Sequence, residues 1–264
     1  MKTALITGAA GGMGRAAAAR LIRDGWTVAG MDVREPEGLP TLRFFRADLT
    51  DPAAVEESAR IMKDEGLRFD CIVHMAGVYE LDSLVEMGEE EWRRAFEVNL
   101  FAAYRVNRAF LPLLNEHARI LLTSSELAPL CPLPFTGIYG VTKAALEKYA
   151  LSLRMELQLL GHRVILLRPG AVDTGLLDVS TDKLERFCRN TALYPRGADR
   201  MRAIVERVEA RKIPPERIAD LTARILSARH PRGVYRINRN PLLLLMNLLP
   251  VPVQCAVIRR ILSD

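Results

Sequence analysis

A glycine-spaced turn close to the first residue constrains the fold of this chain more than any other feature. The segment Thr7–Gly14 follows the apolar run Ala4–Ile6 and leads into the alanine-rich stretch Ala16–Leu21. Glycine permits positive φ and lets a ligand approach the backbone, while a helix start offers unpaired N–H groups and a partial positive charge. The order strand, turn, helix therefore predicts a loop that binds a phosphate group.

Apolar runs and helical periods alternate along the chain, which favours a parallel sheet covered by helices on both faces. We predict strands at 3–7, 27–32, 42–47, 69–75, 119–124, 163–168 and 234–238. We predict helices at 12–24, 52–65, 89–115, 138–160, 181–190, 198–211 and 215–229. No linker interrupts residues 1–238. The pattern predicts a single-domain α/β fold.

Small and polar residues follow the predicted strands at their carboxyl ends. They are the glycine turn, Asp32, Asp48, the pair Ala76-Gly77, Ser125 and the pair Pro169-Gly170. In a parallel sheet these ends meet at one edge, where such folds bind their ligands. A random scatter of these residue types would not produce this pattern, so we expect one site.

Tyr139 and Lys143 lie four residues apart, on one face of a predicted helix. A phenol titrates near pH ~10 in isolation, and a fixed neighbouring cation favours its anion. The pair can therefore act as an acid/base group closer to neutral pH. An isolated pair of this kind is most often a solvated helix face. The inference depends on its occurrence together with the glycine turn, Asn99 and Ser125.

These motifs, in this order, resemble the short-chain dehydrogenase/reductase superfamily over residues 3 to about 238. The resemblance implies a Rossmann-type, doubly wound sheet of seven parallel strands that binds a nicotinamide dinucleotide. It also implies hydride transfer between C4 of the nicotinamide and the carbinol carbon of a secondary alcohol or ketone. The substrate itself is not indicated.

The resemblance assigns four catalytic positions. Tyr139 would exchange a proton with the substrate oxygen, and Lys143 would lower its pKa and bind the nicotinamide ribose. Ser125 would hold the substrate oxygen. Asn99 would hold a water that connects the lysine to solvent; the alternative is that its side chain satisfies backbone groups in a kinked helix.

The spacing between serine and tyrosine is one residue longer than the family usually shows. A rigid count backwards from Tyr139 reaches Glu126, whose negative charge would lie beside an anionic phenolate. We therefore assign Ser125, place the extra residue in the loop 129–134, where an insertion costs little, and keep Ser124 as the alternative. His74 stands where the family commonly has asparagine, and we interpret it as a structural hydrogen-bond partner and not a catalytic base.

The resemblance also implies the cofactor-binding residues: Gly8, Gly12, Met13, Gly14, Asp32, Asp48, Leu49, Ala76, Gly77, Tyr139, Lys143, Pro169, Gly170, Val172 and Thr174. Asp48 and Leu49 would flank the adenine. Asp32 ends strand two, where a carboxylate accepts hydrogen bonds from ribose hydroxyls and repels a 2′-phosphate. We therefore expect NAD in preference to NADP, although Arg34 could reach such a phosphate.

We predict a dinucleotide-binding domain over 1–240, with a substrate lid at about 174–211, and an apolar extension over 241–264. The extension is too short, and too interrupted by Pro250 and Pro252, to span a bilayer. It could line the pocket, pack against a second subunit or contact a membrane surface. We expect it to cover the lid and help line a pocket for a steroid-like or other lipid-like compound.

Composition excludes several other classes of protein. The net charge of +5 is modest and dispersed, so no nucleic-acid partner is expected. The cysteines at 71, 131, 188 and 255 lack metal-ligand spacing, and no metal site is expected. We expect no secretory leader and a cytoplasmic location.

The expected function is that of an oxidoreductase acting on CH–OH groups. A non-catalytic dinucleotide-binding regulator is the alternative, but such a protein needs the glycine turn and Asp32 and has no use for an activated phenol. The helices at 89–115 and 138–160 correspond to those that pair between subunits in the family. A homodimer or homotetramer is expected.

Overall fold

The computed structural model describes residues 1–131, 133–209 and 211–263. Seven parallel strands form one sheet in the order β3-β2-β1-β4-β5-β6-β7. The strands are β1 Thr3–Thr7, β2 Thr27–Asp32, β3 Arg43–Arg46, β4 Phe69–His74, β5 Leu114–Thr123, β6 Arg163–Pro169 and β7 Val234–Ile237. The predicted seven-stranded, doubly wound parallel sheet is confirmed.

Helices cover both faces of this sheet. They are α1 Gly12–Arg23, α2 Pro52–Asp64, α3 Glu89–Phe96, α4 Ala102–Phe110, α5 Gly137–Leu157, α6 Gly175–Asn190, α7 Pro195–Glu209, α8 Pro215–Ser227, α9 Pro241–Met246 and α10 Val251–Ser263. Side chains of α1 and α8 pack in the core on one face, and side chains of α2, α4 and α5 pack on the other.

The central strand β1 shows why its sequence is a continuous apolar run. Leu5 packs in the core on the α2, α4 and α5 face, whereas Ala4 and Ile6 pack on the α1 and α8 face. Because successive side chains of a strand point to opposite faces, both faces of β1 are buried, and its central residues are apolar. The order of strands reverses between β1 and β4, where doubly wound sheets open a crevice for ligands.

The helix predicted over 89–115 is wrong as one continuous element. α3 ends at Phe96, a π-helical turn occupies Glu97–Phe101, and α4 begins at Ala102. A short 3₁₀ turn then covers Leu111–Leu113, and β5 begins at Leu114, where the prediction still had helix. Pro112 in this last turn lacks the N–H that a continuing helix needs.

Two further helices begin earlier than predicted. α6 begins at Gly175 and not at 181. α7 begins at Pro195 and not at 198, since proline is suited to the first helical position. The predictions for 129–134, for 198–211 and the lid, and for the extension include residues 132, 210 and 264 respectively, which lie outside the described residues.

The segment after β7 folds into α9 and α10 and returns to the carboxyl edge of the sheet. Asn240 begins α9 by accepting a hydrogen bond from the backbone N–H of Leu242 at 3.0 Å. Leu262 of α10 packs against a small apolar cluster formed by Leu81, α6 and α7. None of the helices in the described part of the chain has the length and apolar character needed to cross a membrane.

Candidate functional site

The glycine turn lies tightly against the carboxyl end of β4. Gly8 has φ +70°, and a Cβ placed there would lie 2.5 Å from the backbone nitrogen of Ala76. A Cβ on Gly14 would lie 2.0 Å from the carbonyl oxygen of Gly8. Larger residues at these two positions would force the turn open. The turn therefore keeps the start of α1 beside the reversal point of the sheet.

The start of α1 fits an anionic ligand. Among the described residues no side chain caps this helix; its N-cap residue is Gly11, and its first turn carries no acidic residue. The N–H groups of a helix start have no intrahelical partners, and they carry a partial positive charge. Met13 lines the adjoining cleft. The residues present therefore fit the pyrophosphate of a dinucleotide.

Asp32 lies beside this turn at the end of β2. Its Oδ2 accepts a hydrogen bond from the backbone N–H of Ala10 at 3.0 Å, and its Oδ1 accepts one from the N–H of Arg34 at 3.1 Å. The carboxylate is thus fixed in position and only partly buried. It can accept further hydrogen bonds from hydroxyl groups of a ligand, because each ionised oxygen accepts more than one.

Asp48 and Leu49 follow β3 at the same edge but face different surroundings. Asp48 is exposed, and its Oδ1 accepts hydrogen bonds from the N–H and hydroxyl of Thr50. Leu49 is buried in the hydrophobic core. Asp48 therefore presents its side chain to solvent, whereas Leu49 borders a small pocket that Ala76 and Asn99 also line.

Lys143 and Tyr139 lie together in α5 at the base of the cleft. Lys143 is 4% exposed, and its Nζ donates a hydrogen bond to the carbonyl oxygen of Thr123 at 3.0 Å. The same Nζ lies 5.7 Å from the centre of the Tyr139 ring. Tyr79 packs edge-on against this ring, with 4.4 Å between the ring centres. The carbonyl oxygen of Thr123 and the ring of Tyr79 therefore hold the predicted pair in position.

Burial favours the neutral form of both side chains and shifts their pKa values accordingly. Burial raises the pKa of Tyr139 to about 12; the hydrogen bond with Ser125 lowers it, and the negative charge of Glu126 raises it. Burial also lowers the pKa of Lys143 to about 8. The expectation that Lys143 lowers the pKa of Tyr139 stays a prediction; in this structure burial is the largest influence on that pKa and raises it.

The two candidate serines have different partners. Ser124 is buried and donates a hydrogen bond to Glu147 Oε1 at 2.7 Å. Arg168 donates to the same oxygen at 2.7 Å and so completes a buried structural network. Both serines line the cleft, but the hydroxyl of Ser125 faces Tyr139 and lowers its pKa by hydrogen bonding. The geometry therefore favours Ser125 over Ser124 as the serine that meets a ligand.

Asn99 lies in the π-helical turn and joins three segments. Its Oδ1 accepts a hydrogen bond from the N–H of Val78 at 2.8 Å, and its Nδ2 donates to the carbonyl oxygen of Val78 and to the hydroxyl of Thr142. π-helical turns often lie at functional sites. A Cβ on Gly77 would lie 3.2 Å from Asn99 Oδ1 and 3.5 Å from Lys143 Nζ, so both side chains border the same small space.

The loop after β6 forms the opposite wall. A Cβ on Gly170 would lie 1.9 Å from the carbonyl oxygen of Asn238, which leaves room for glycine alone. Val172 is buried and pairs with Ile213, and Thr174 is buried directly before α6. Together with Pro169, these predicted residues line the cleft next to Ser125 and Tyr139.

Two buried carboxylates near the site were not predicted to have a role. Glu147 positions Ser124 and Arg168 as described above. Glu126, the residue that a rigid count backwards from Tyr139 reaches in place of serine, lines the cleft itself. Its place directly after Ser125 was the available sequence signal. His74 forms a hydrogen bond through Nε2 with Asn107 Oδ1 at 2.9 Å, an arrangement that fits the structural interpretation.

Apolar side chains form most of the remaining wall of the cleft. They come from the loop before α5, from α7 and from α9: Leu127, Leu133, Met201, Ile204, Val205 and Leu243. Leu243 is 8% exposed, although several of its neighbours in the extension are largely exposed. The extension therefore contributes the side chain of Leu243 directly to the cleft.

Comparison with known proteins places this geometry in a family. A model of the short chain dehydrogenase family matches residues 2–185. Mouse estradiol 17-beta-dehydrogenase 2 is 32% identical over 203 residues, which cover 70% of this chain and 52% of that protein. The chain thus spans about half the length of its mouse and rat relatives of this name. The 3-ketodihydrosphingosine reductase of Bacteroides thetaiotaomicron is 25% identical over 228 residues, 86% of this chain and 84% of that protein.

A solved structure agrees in fold. A short-chain dehydrogenase from Streptomyces avermitilis superimposes with a TM-score of 0.75 at 22% identity, over 98% of this chain and 96% of that chain. This likeness shows the fold alone. The match to the family model extends over more than half of the sequence and includes the glycine turn, Asn99, Ser125, Tyr139 and Lys143. The chain belongs to the short chain dehydrogenase family.

Proposed function

We propose that this protein is a nicotinamide-dependent oxidoreductase that interconverts a secondary alcohol and its ketone. The observation that carries the proposal is the grouping of Ser125, Tyr139 and Lys143 in one cleft beside the glycine turn. A cofactor bound there supplies hydride chemistry, accepting the carbinol hydrogen with its electron pair or returning it to the ketone. A regulator that only binds a dinucleotide would have no use for this grouping.

Tyr139 moves the proton in this proposal. In oxidation its phenolate oxygen takes the hydroxyl proton while the carbon–hydrogen bond breaks, and in reduction its phenol returns a proton to the carbonyl oxygen. Ser125 donates a hydrogen bond to the substrate oxygen, where negative charge develops. Lys143 favours the phenolate once the cleft is filled. Asn99 fixes the segment after β4 against α5 and so positions the lysine.

We propose NAD as the preferred cofactor. The fixed carboxylate of Asp32 would accept hydrogen bonds from the adenosine ribose hydroxyls and would repel a 2′-phosphate. Gly8, Gly12, Met13 and Gly14 would hold the pyrophosphate. The loop from Pro169 to Thr174 would hold the nicotinamide.

We propose a hydrophobic substrate. The apolar side chains of α7, α9 and the loop before α5 line the cleft. The names of two relatives, an estradiol dehydrogenase and a ketodihydrosphingosine reductase, indicate compounds that are largely apolar. In this account residues 174–211 act as the substrate lid and 241–264 close its outer side through Leu243 and Leu262.

We also propose a homodimer or homotetramer. Large apolar side chains are exposed on the helices expected to pair, among them Tyr104 of α4 and Met155 of α5. A monomeric mass by light scattering would contradict this. Exposed leucines of the extension, such as Leu245 and Leu248, could contact a membrane surface instead of a subunit.

The test is a screen of secondary alcohols and ketones, with the absorbance of the reduced nicotinamide as the readout. We expect turnover with a higher kcat/KM for NAD than for NADP. Asp32→Ala should lower the ratio of kcat/KM for NAD to kcat/KM for NADP. Glu35→Ala, which removes an exposed carboxylate three positions later, is the matched control and should leave the ratio unchanged. No turnover of any compound would overturn the function, and a preference for NADP would overturn the role of Asp32.

A further inference from the structure

Glu126 is a buried carboxylate whose two oxygens have different surroundings. The side chain is 8% exposed and lines the cleft directly after Ser125. Its Oε2 accepts a hydrogen bond from the backbone N–H of Asn240 at 2.7 Å. Its Oε1 lies over Gly170, where an added Cβ would be 2.9 Å away. No described residue donates a hydrogen bond to this second oxygen.

Two other buried glutamates show how this fold accommodates a negative charge. Glu147 forms an ion pair with Arg168, and Glu80 forms one with Lys183. Glu126 has no ion pair within the described part of the chain. Burial raises its pKa, although the hydrogen bond from Asn240 and the charge of Arg239, an exposed residue, lower it. Burying a carboxylate without a cation is costly. An anchor for the amide of Asn240 alone would not need a charge, since a glutamine oxygen accepts the same bond.

The place of Glu126 relative to the reacting groups indicates which ligand would supply the cation. Ser125 precedes it in sequence and forms a hydrogen bond with Tyr139. Because Ser125, Glu126 and Tyr139 line the same cleft, the carboxylate of Glu126 would lie near the carbinol carbon of a substrate held by Ser125. The apolar wall formed by Leu133, Met201, Ile204 and Leu243 lines the same cleft. A ligand complementary to both the carboxylate and the apolar wall carries an ammonium group close to its hydroxyl and an apolar chain beyond it.

We propose that Glu126 is a specificity-determining residue that binds the ammonium group of the substrate, so that the protein acts on amphipathic amino alcohols and the corresponding amino ketones. The inference rests on the proposed function and narrows it. Ammonium binding would also explain why a charged side chain occupies position 126. That charge raises the pKa of Tyr139, and a bound ammonium would offset it and favour the phenolate that takes the proton.

The experiment compares two alcohols that differ in one group. One is a vicinal amino alcohol with a decyl chain, and the other carries a methyl group in place of the ammonium. At a pH where the amine is protonated, we expect wild-type protein to favour the amino alcohol in kcat/KM by on the order of 10–100-fold, the usual effect of a hydrogen bond to a charged group. Glu126→Gln should reduce this ratio to near one, whereas Glu126→Asp, which keeps the charge, should restore part of it.

Controls separate recognition from folding and from chemistry. Glu116→Gln removes an exposed carboxylate from β5 and should keep the wild-type ratio. Calorimetric binding of the same two alcohols to protein saturated with oxidised cofactor requires no turnover. Preferential binding of the amino alcohol without oxidation would refute the proposed hydride transfer and support the role of Glu126. Equal binding of the two alcohols by wild-type protein, or an unchanged preference in Glu126→Gln, would overturn the inference.

Discussion

Tyr139 and Lys143 are both buried in the cleft, and burial favours the neutral form of each side chain. Lys143 is buried, and its ammonium donates a hydrogen bond to the carbonyl oxygen of Thr123. The hydroxyl of Tyr139 faces Ser125, whose hydrogen bonding lowers the pKa of the phenol. The pKa values of Lys143 and Tyr139 are shifted in opposite directions, to about 8 and about 12. A positively charged nicotinamide ring beside them would favour the phenolate. We therefore expect Tyr139 to act as the acid/base group when the cofactor is bound.

His74 gives a prediction about stability that is independent of catalysis. Burial lowers its pKa from 6.5 to about 4. Between these values the unfolded chain binds a proton that the folded protein does not, so the free energy of unfolding decreases as pH falls from 6.5 to 4. The shift corresponds to roughly 3 kcal/mol. Urea unfolding of His74→Asn should show a smaller decrease over this interval.

His230→Asn is the control for this measurement, because that side chain is exposed. It should retain the pH dependence of the wild-type protein. The explanation would be wrong if His74→Asn and wild-type protein lost the same free energy of unfolding over the interval.

At the scale of elements, strands and turns could be predicted but the details of helices could not. The apolar runs and glycine turns specify the sheet because both faces of it are buried. The π-helical turn at Glu97–Phe101 leaves no such pattern. It is held by the bonds of Asn99 to Val78 and Thr142, partners that are distant in sequence. The role of Glu126 was missed for the same reason, because Asn240 and Gly170 meet it only in the folded chain.

The extension gives a prediction at the scale of an element. Leu243 and Leu245 both lie in α9, but Leu243 is 8% exposed and lines the cleft, whereas Leu245 is 60% exposed. Leu243→Ala should raise KM for apolar alcohols on the order of 10-fold, since it removes a contact with the chain of the substrate. KM for small polar alcohols should change much less, and Leu245→Ala should change neither value.

Equal effects of the two substitutions would contradict a direct role of α9 in the cleft. Loss of liposome co-sedimentation in Leu245→Ala would support contact with a membrane surface instead. Steady-state kinetics on soluble, correctly assembled variants distinguishes these outcomes.

At the scale of the whole molecule, the sheet brings distant residues to one edge. The carboxyl ends of β1, β2, β4, β5 and β6 supply the glycine turn, Asp32, Gly77, Ser125 and Gly170. The connections on both faces bring α5 under the cleft and α7 and α9 beside it. The sequence motifs alone indicated this arrangement, whereas the choice between Ser125 and Ser124 needed the buried network around Glu147.

The most direct test of the account is the turnover of Tyr139→Phe, measured beside its cofactor binding. Tyr149→Phe removes a hydroxyl from the same helix, where it accepts a bond from Asn107, and is the matched control. We predict that Tyr139→Phe binds the reduced cofactor normally and loses on the order of 10²–10⁴ in kcat, the usual contribution of a positioned acid or base. Tyr149→Phe should keep nearly full turnover. Near-normal turnover by Tyr139→Phe would contradict the proposed mechanism.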